Sequence, residues 1–223
     1  MKKLILTALS FCLLTVAIAQ TRNKQKVEIE TSYGKIVLAL YDNTPKHRDN
    51  MFKLIKQKFY DSTLFHRVIP NFVIQGGDPD SKHAAAGQAL GEGDVGYRVP
   101  AEINTTDFHQ RGAVGMARDN NPEKASSGCQ FYIVVGKTFT DDELDKISTS
   151  TGRKFTPMQR NIYKTKGGTP HLDGNYTVFG IVEEGMDVVD KIAAVERDGA
   201  DRPKEDIRMI KVRIKKKKFL GIF

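Results

Sequence analysis

Residues 65–78 read Phe65-His66-Arg67-Val68-Ile69-Pro70-Asn71-Phe72-Val73-Ile74-Gln75-Gly76-Gly77-Asp78, and no other stretch constrains the fold as tightly. Apolar side chains at strand spacing run up to a Pro-Asn turn and resume after it. Alternation sends Phe65, Arg67 and Ile69 to one side of the first run, with His66 and Val68 on the other. After the turn, Val73 and Gln75 share a face. One fixed cation and one amide beside an apolar wall make a poor redox or hydrolytic centre. They suit a substrate that is held and polarised without being cut.

The rest of the chain repeats short strand-like runs. Residues 27–31 and 35–40 flank Ser32-Tyr33-Gly34 and read as a hairpin. Further strands are expected at 64–69, 72–76, 99–102, 113–117, 131–135, 177–182 and 207–214. Asn43-Thr44-Pro45 supplies an N-cap and a proline at the first helical position, and predicts a helix to about residue 58. Its positions Met51, Phe52, Leu54, Ile55 and Phe59 fall on one face. A second helix is expected over 186–195 with Val188, Val189 and Ile192 inward. Many short strands with two helices suit a mainly β fold, a closed antiparallel barrel capped at its ends, although periodicity alone also allows a sandwich.

The chain opens with Met1-Lys2-Lys3, an apolar run from Leu4, and Ala17-Ile18-Ala19, the pattern of a secretory signal peptide over residues 1–19. The apolar run is short for a membrane span. We therefore expect an exported, periplasmic or secreted protein with no stable membrane insertion, folded as one domain over 20–223. Loss of Lys2 and Lys3 lowers the formal charge from +8 to +6. Of the two cysteines only Cys129 then remains, which excludes an intrachain disulfide and suggests a small buried apolar residue.

Two more segments carry a resemblance. The first is Gly112-Ala113-Val114-Gly115-Met116-Ala117-Arg118 followed by Ser127-Gly128-Cys129-Gln130-Phe131-Tyr132-Ile133; the second is Leu172-Asp173-Gly174-Asn175-Tyr176-Thr177-Val178-Phe179-Gly180. With residues 65–78, which match FHRxIPxFxxQGGD at every fixed position, they resemble the three motifs of the cyclophilin-type peptidyl-prolyl cis-trans isomerases, in order. The resemblance implies a closed eight-stranded antiparallel β-barrel capped by two α-helices. It implies catalytic roles for Arg67 and Gln75, and a proline pocket of Phe72, Val73, Tyr132 and Leu172. Ala117, Arg118 and Gln130 form the adjoining wall, and Tyr176 takes the place where many eukaryotic members carry His. Val73 stands where Met is frequent, Tyr132 where Phe is frequent, and Arg118 where Asn is common.

The chemistry agrees with those residue types. Rotation about an X-Pro bond breaks amide resonance at a barrier of about 18–20 kcal/mol. No nucleophile is required. A guanidinium with several donors can meet the lone pair that returns to the proline nitrogen as the amide twists, and so favours the transition state over the planar ground state. No cofactor is implied. The expected partners are proline-containing unfolded or flexible polypeptides, bound by a monomer. The alternative is a non-catalytic chaperone or peptide-binding module that uses the same groove.

Residues 137–170 exceed the common family pattern. Thr140-Asp141-Asp142-Glu143 fits a capping box with Gly152 as a stop, and Thr156-Pro157 opens a second helix to about residue 164. The segment is either a surface insertion or a flap that extends the groove. Gly91-Glu92-Gly93-Asp94-Val95-Gly96 satisfies G-x-G-x-x-G, but Tyr97-Arg98-Val99-Pro100 cannot open the helix that a pyrophosphate needs, so no nucleotide is expected. His66, His83, His109 and His171 lack metal-ligand spacing. The basic tail 215–223 reads as solvated, and a nucleic-acid partner is not expected. The chain lacks Trp, and His171 falls where cyclosporin-sensitive members carry one, so weak cyclosporin binding is expected.

Overall fold

The structure is a computed structural model that describes residues 25–215. The expected signal segment 1–19, and the basic tail beyond Lys215, lie outside the described residues. The predicted hairpin forms from β1 (Lys26–Thr31) and β2 (Gly34–Leu40), paired from Lys26↔Ala39 to Thr31↔Gly34. Helix α1 (Pro45–Lys56) follows, with Thr44 at its N-cap position. The Thr44 side chain makes no capping bond. Instead the Glu102 carboxylate accepts from the main-chain N–H groups of Lys46 (3.1 Å) and His47 (3.0 Å), placing an anion where free donors and the helix dipole favour one.

The remaining strands are β3 (Phe65–Ile69), β4 (Val73–Gly76), β5 (Arg98–Val99), β6 (Ala113–Met116), β7 (Ser126–Ser127), β8 (Phe131–Val134), β9 (Val178–Glu184) and β10 (Lys211–Lys215). Eight of them form one antiparallel sheet in the order β10-β1-β2-β9-β6-β8-β4-β3, while β5 and β7 pair separately. The predicted strand at 99–102 thus lies outside the main sheet.

The expected closed barrel is not formed. The sheet is an open half-barrel whose edges are β3 and β10. Irregular backbone ties those edges: Phe65 N–H donates to Ile207 O (2.9 Å), Met209 N–H to Thr63 O (2.8 Å) and Ser62 N–H to Met209 O (2.8 Å). Ser62 has φ 70°, which interrupts the extended run ahead of β3, so a ladder cannot propagate there. Residues 207–210, expected within the last strand, make these ties instead, and β10 begins only at Lys211.

The expected alternation in β3 also fails at one point. Phe65 pairs with Gly76 and Arg67 with Gln75, a bulge of two residues against one. Phe65 therefore enters the core beside Val68 rather than sharing a face with Arg67. That core gathers Met51, Phe52, Leu54 and Ile55 of α1, the inward residues of the sheet, and Val188, Val189 and Ile192 of α4 (Met186–Ala193).

The segment 137–170 folds as helices α2 (Asp141–Thr151) and α3 (Pro157–Thr165), each opened by a complete capping box, with Gly152 (φ 68°) ending α2. They bury a small cluster of their own with Phe108: Leu144, Phe155 and Tyr163. The segment is pinched shut at its base. A Cβ on Gly136 would meet the Gly168 backbone at 2.5–2.8 Å, and Gly136 has φ 65°, so only glycine fits there.

Candidate active site

Antiparallel pairing sets Arg67 of β3 directly opposite Gln75 of β4, and Gln75 opposite Tyr132 of β8. Two residues of one hairpin and a third more than fifty positions on thus share one row across three strands. Arg67 keeps 41% of its side chain exposed, which leaves the guanidinium accessible to a substrate.

Gln75 has its orientation fixed by a neighbour. Gln130 donates through Nε2 to the main-chain oxygens of Gly91 and Gly93, both at 2.8 Å. Those carbonyls only accept, so Gln130 must present Oε1 to Gln75, and Gln75 donates its amide N–H at 3.0 Å. The Gln75 Oε1 is not used in that bond. It is the acceptor left to meet a peptide N–H.

Beside this row the expected pocket residues fall into one cluster. Val73 and Tyr132 are buried with Ala113, Val134 and Val178, and Phe72, Ala117, Leu172 and Tyr176 cover them in part. The Phe72 ring stacks on His171 at 5.5 Å and 20°. Tyr176 meets Tyr132 edge-on at 6.0 Å, and Arg118 lies over the Tyr176 ring at 5.0 Å while its Nε donates to Asn175 O. Burial first, and then the charges of Tyr176 and Asp173, hold the Tyr132 phenol far above its ordinary pKa, so it stays a neutral donor. Next to the apolar pocket, Gln75, Ala117, Arg118 and Gln130 line a more polar cleft of about 300 Å³ with the loop 91–94. The structure therefore brings all ten expected residues to one region, divided between a dry pocket and a wetter channel.

Cys129 is fully buried below this wall, and burial pushes its thiol up to about 11, which keeps it protonated and unreactive at neutral pH.

Some residues at the site were given no role there by the sequence. Asp201, from the loop after α4, reaches Arg67, and its own backbone oxygen accepts from Val68 N–H at 2.9 Å. His109 and Asp173 lie buried behind Tyr132. His66, beside Arg67, has neither ring nitrogen hydrogen-bonded among the described residues; burial lowers its pKa to about 4, with Asp78 opposing the shift and Arg67 and Arg202 adding to it.

An antiparallel half-barrel here sets an exposed cation, Arg67, and an oriented amide, Gln75, beside an apolar pocket, an arrangement suited to holding a peptide. Residues 26–214 match the family model described as cyclophilin type peptidyl-prolyl cis-trans isomerase/CLD. A peptidyl-prolyl cis-trans isomerase of Schizosaccharomyces pombe is 34% identical over 83% of this chain and 96% of its own length. A putative bifunctional phosphatase/peptidyl-prolyl cis-trans isomerase of Streptococcus pyogenes is 38% identical over 82% of this chain, which spans only 37% of that longer protein. A solved cyclophilin-type isomerase of Cryptosporidium parvum shares the fold, with a TM-score of 0.62 at 24% identity, over 86% of this chain and 98% of that one. The chain belongs to the cyclophilin-type peptidyl-prolyl cis-trans isomerases.

Proposed function

We propose that this chain accelerates rotation about X-Pro bonds in exported polypeptides, acting as a monomer on unfolded or flexible segments. The observation that carries the reading is the cross-strand pair of Arg67 and Gln75 at the rim of the apolar cluster of Val73, Tyr132 and their neighbours. The proline ring enters that cluster, where water is excluded. Gln75 and the wall of Ala117 and Gln130 hold the flanking backbone. As the amide twists, its nitrogen becomes pyramidal and regains a lone pair, and Arg67 donates an N–H to it. That bond is absent from the planar ground state, so it lowers the barrier rather than deepening substrate binding.

Export is supported by the charged, apolar and small-residue order of residues 1–19. Clients of such a protein are chains that fold after crossing a membrane, where slow X-Pro rotation delays folding.

The test compares the mature chain with Arg67→Ala on the cis-to-trans rate of a short Ala-Pro-Phe peptide. Acceleration by the wild type is expected to fall about 100-fold or more in the variant, the usual effect of removing a donor aimed at the transition state. A folded wild type that binds the peptide and leaves its rate unchanged would make the groove a holding surface.

A further inference from the structure

The hydroxyl of Tyr132 begins a buried chain of hydrogen bonds that ends in the insertion. Tyr132 Oη lies 2.8 Å from His109 Nε2, and the two rings stack at 6.0 Å and 15°. His109 Nδ1 lies 2.7 Å from Asp173 Oδ1, which also accepts from the His109 main-chain N–H at 2.8 Å. The other carboxylate oxygen, Oδ2, accepts from the Tyr163 hydroxyl at 2.6 Å. Arg153 holds its Nε 3.8 Å from the same oxygen. Tyr163 belongs to α3 and Arg153 to the link between α2 and α3, so the far end of the relay lies in residues 137–170.

Chemistry fixes the direction of the bonds to Asp173. A carboxylate only accepts, so His109 donates from Nδ1 and Tyr163 donates its O–H. In the neutral imidazole Nε2 is then the acceptor, and Tyr132 donates to it. The Tyr132 ring is thereby tethered at its hydroxyl, while the ring packs in the cluster with Val73 and meets Tyr176 edge-on. Its hydroxyl end, Cζ, Oη and Cε2, lies so close to Gly115 that a Cβ there would overlap it. Phenylalanine in the same seat would have no such tether.

Nothing in the insertion needs to touch substrate for this to matter. The Asp173 carboxylate already accepts from the Tyr163 hydroxyl and the His109 main-chain N–H, while Arg153 Nε makes no hydrogen bond among the described residues. Here the bonds continue through His109 to a side chain of the pocket. We propose that His109 and Asp173 are positioning residues for the proline pocket, and that α3 sets the seat of Tyr132 through them. The insertion then tunes how the pocket fits a proline ring, from below rather than as a covering flap. This inference rests on Tyr132 being a wall of that pocket.

A double-mutant cycle of Tyr163→Phe and Tyr132→Phe tests it, with Kd, KM and kcat measured on an Ala-Pro-Phe peptide and melting temperature followed alongside. In the wild-type background Tyr163→Phe is expected to raise Kd and KM about fivefold with kcat nearly unchanged, the size of effect that coupled neighbours show. In the Tyr132→Phe background the same change is expected to leave Kd and KM nearly unaltered, because the tether is already gone. Equal changes in both backgrounds would overturn the proposal, as would a lowered melting temperature with unaltered Kd. If Tyr163→Phe does not fold, His109→Gln replaces it in the cycle with the same criteria. Binding without turnover in the wild type would remove the isomerase reading while the Kd cycle still decides this one.

Discussion

Asp201 holds its carboxylate 3.9 Å from the Nε of Arg67 while accepting from Arg197 Nε at 3.1 Å. Its backbone is left-handed, with φ 62°, a conformation that Asp and Asn tolerate and most side chains do not. The cation to which we assign catalysis thus has an acidic neighbour supplied from a loop more than a hundred residues away. Both groups are partly exposed, which limits the worth of the pair to about 1 kcal/mol. Asp201→Asn keeps the backbone and removes the charge. We expect kcat/KM for a proline peptide to fall by no more than about fivefold, since 1.4 kcal/mol is tenfold. A loss as large as that of Arg67→Ala would show that Asp201 does more than orient the guanidinium.

Gln130 is expected to matter more. It is buried, and its amide joins Gln75 to the carbonyls of Gly91 and Gly93. Gln130→Ala strands those groups and frees Gln75 to rotate. A stability loss of about 1–3 kcal/mol is expected from the unpaired buried groups. Urea midpoints measure the stability loss, and isomerisation rates without urea at peptide concentrations well below KM should show lower kcat/KM. Unchanged activity in a folded Gln130→Ala protein would remove Gln75 orientation from the mechanism.

His66 links stability to pH. Its folded pKa of about 4 lies below the ordinary histidine value because burial penalises the charged ring. The unfolded chain therefore takes the proton first as pH falls. Stability is whole above about pH 6.5 and declines toward pH 4, by up to about 3 kcal/mol from this residue. His47 and His171, whose pKa values burial also lowers, act in the same direction. Chemical denaturation between pH 7 and pH 4 should show a shallower slope for His66→Gln than for the wild type. Identical slopes would rule the residue out as a source of acid sensitivity.

Gly115 makes room for Tyr132. The ring crosses the strand where a Cβ would stand, so Gly115→Ala must displace the phenol and break its bond to His109. Overpacking of this kind costs about 1–3 kcal/mol. Thermal melts should register that loss, and KM for a proline peptide should rise with it. A variant as stable as the wild type would mean that the ring moves freely, against the tethered seat described above.

His171 stacks on Phe72 in the position where cyclosporin-sensitive family members carry Trp. Histidine offers a smaller apolar face and one ring less to a large apolar ligand. Weak cyclosporin inhibition is expected, together with intact isomerisation. Inhibition in the submicromolar range, read from the peptide assay, would contradict it.

Much of the site could be read directly. Alternation puts Val73 and Gln75 on one face, the family motifs supply Arg67 and Phe72, and the capping box of the insertion formed at Thr140 as expected, with a second, unforeseen one where Thr156 opens the next helix. Local chemistry suffices for such features, because each depends on residues a few positions apart. Alternation misplaced Phe65, since a bulge depends on what the partner strand demands and not on the strand itself. Glu102 capping α1 was equally hidden: Thr44 had the right chemistry nearby, but a carboxylate 56 residues from Lys46 took the position.

The amino-acid order by itself determined most strands of the main sheet, the helices, the family motifs and the identity of the cation and amide at the site. Tertiary structure alone decided that the sheet stays open between β3 and β10, that Asp201 stands beside Arg67, and that Asp173 reaches Tyr132 through His109. The division has a physical cause. Strand and helix signals come from backbone preferences and side-chain period, which act within a few residues. Sheet closure, distant ion pairs and buried relays depend on which groups the folded chain brings within hydrogen-bond reach, and no local pattern encodes that distance.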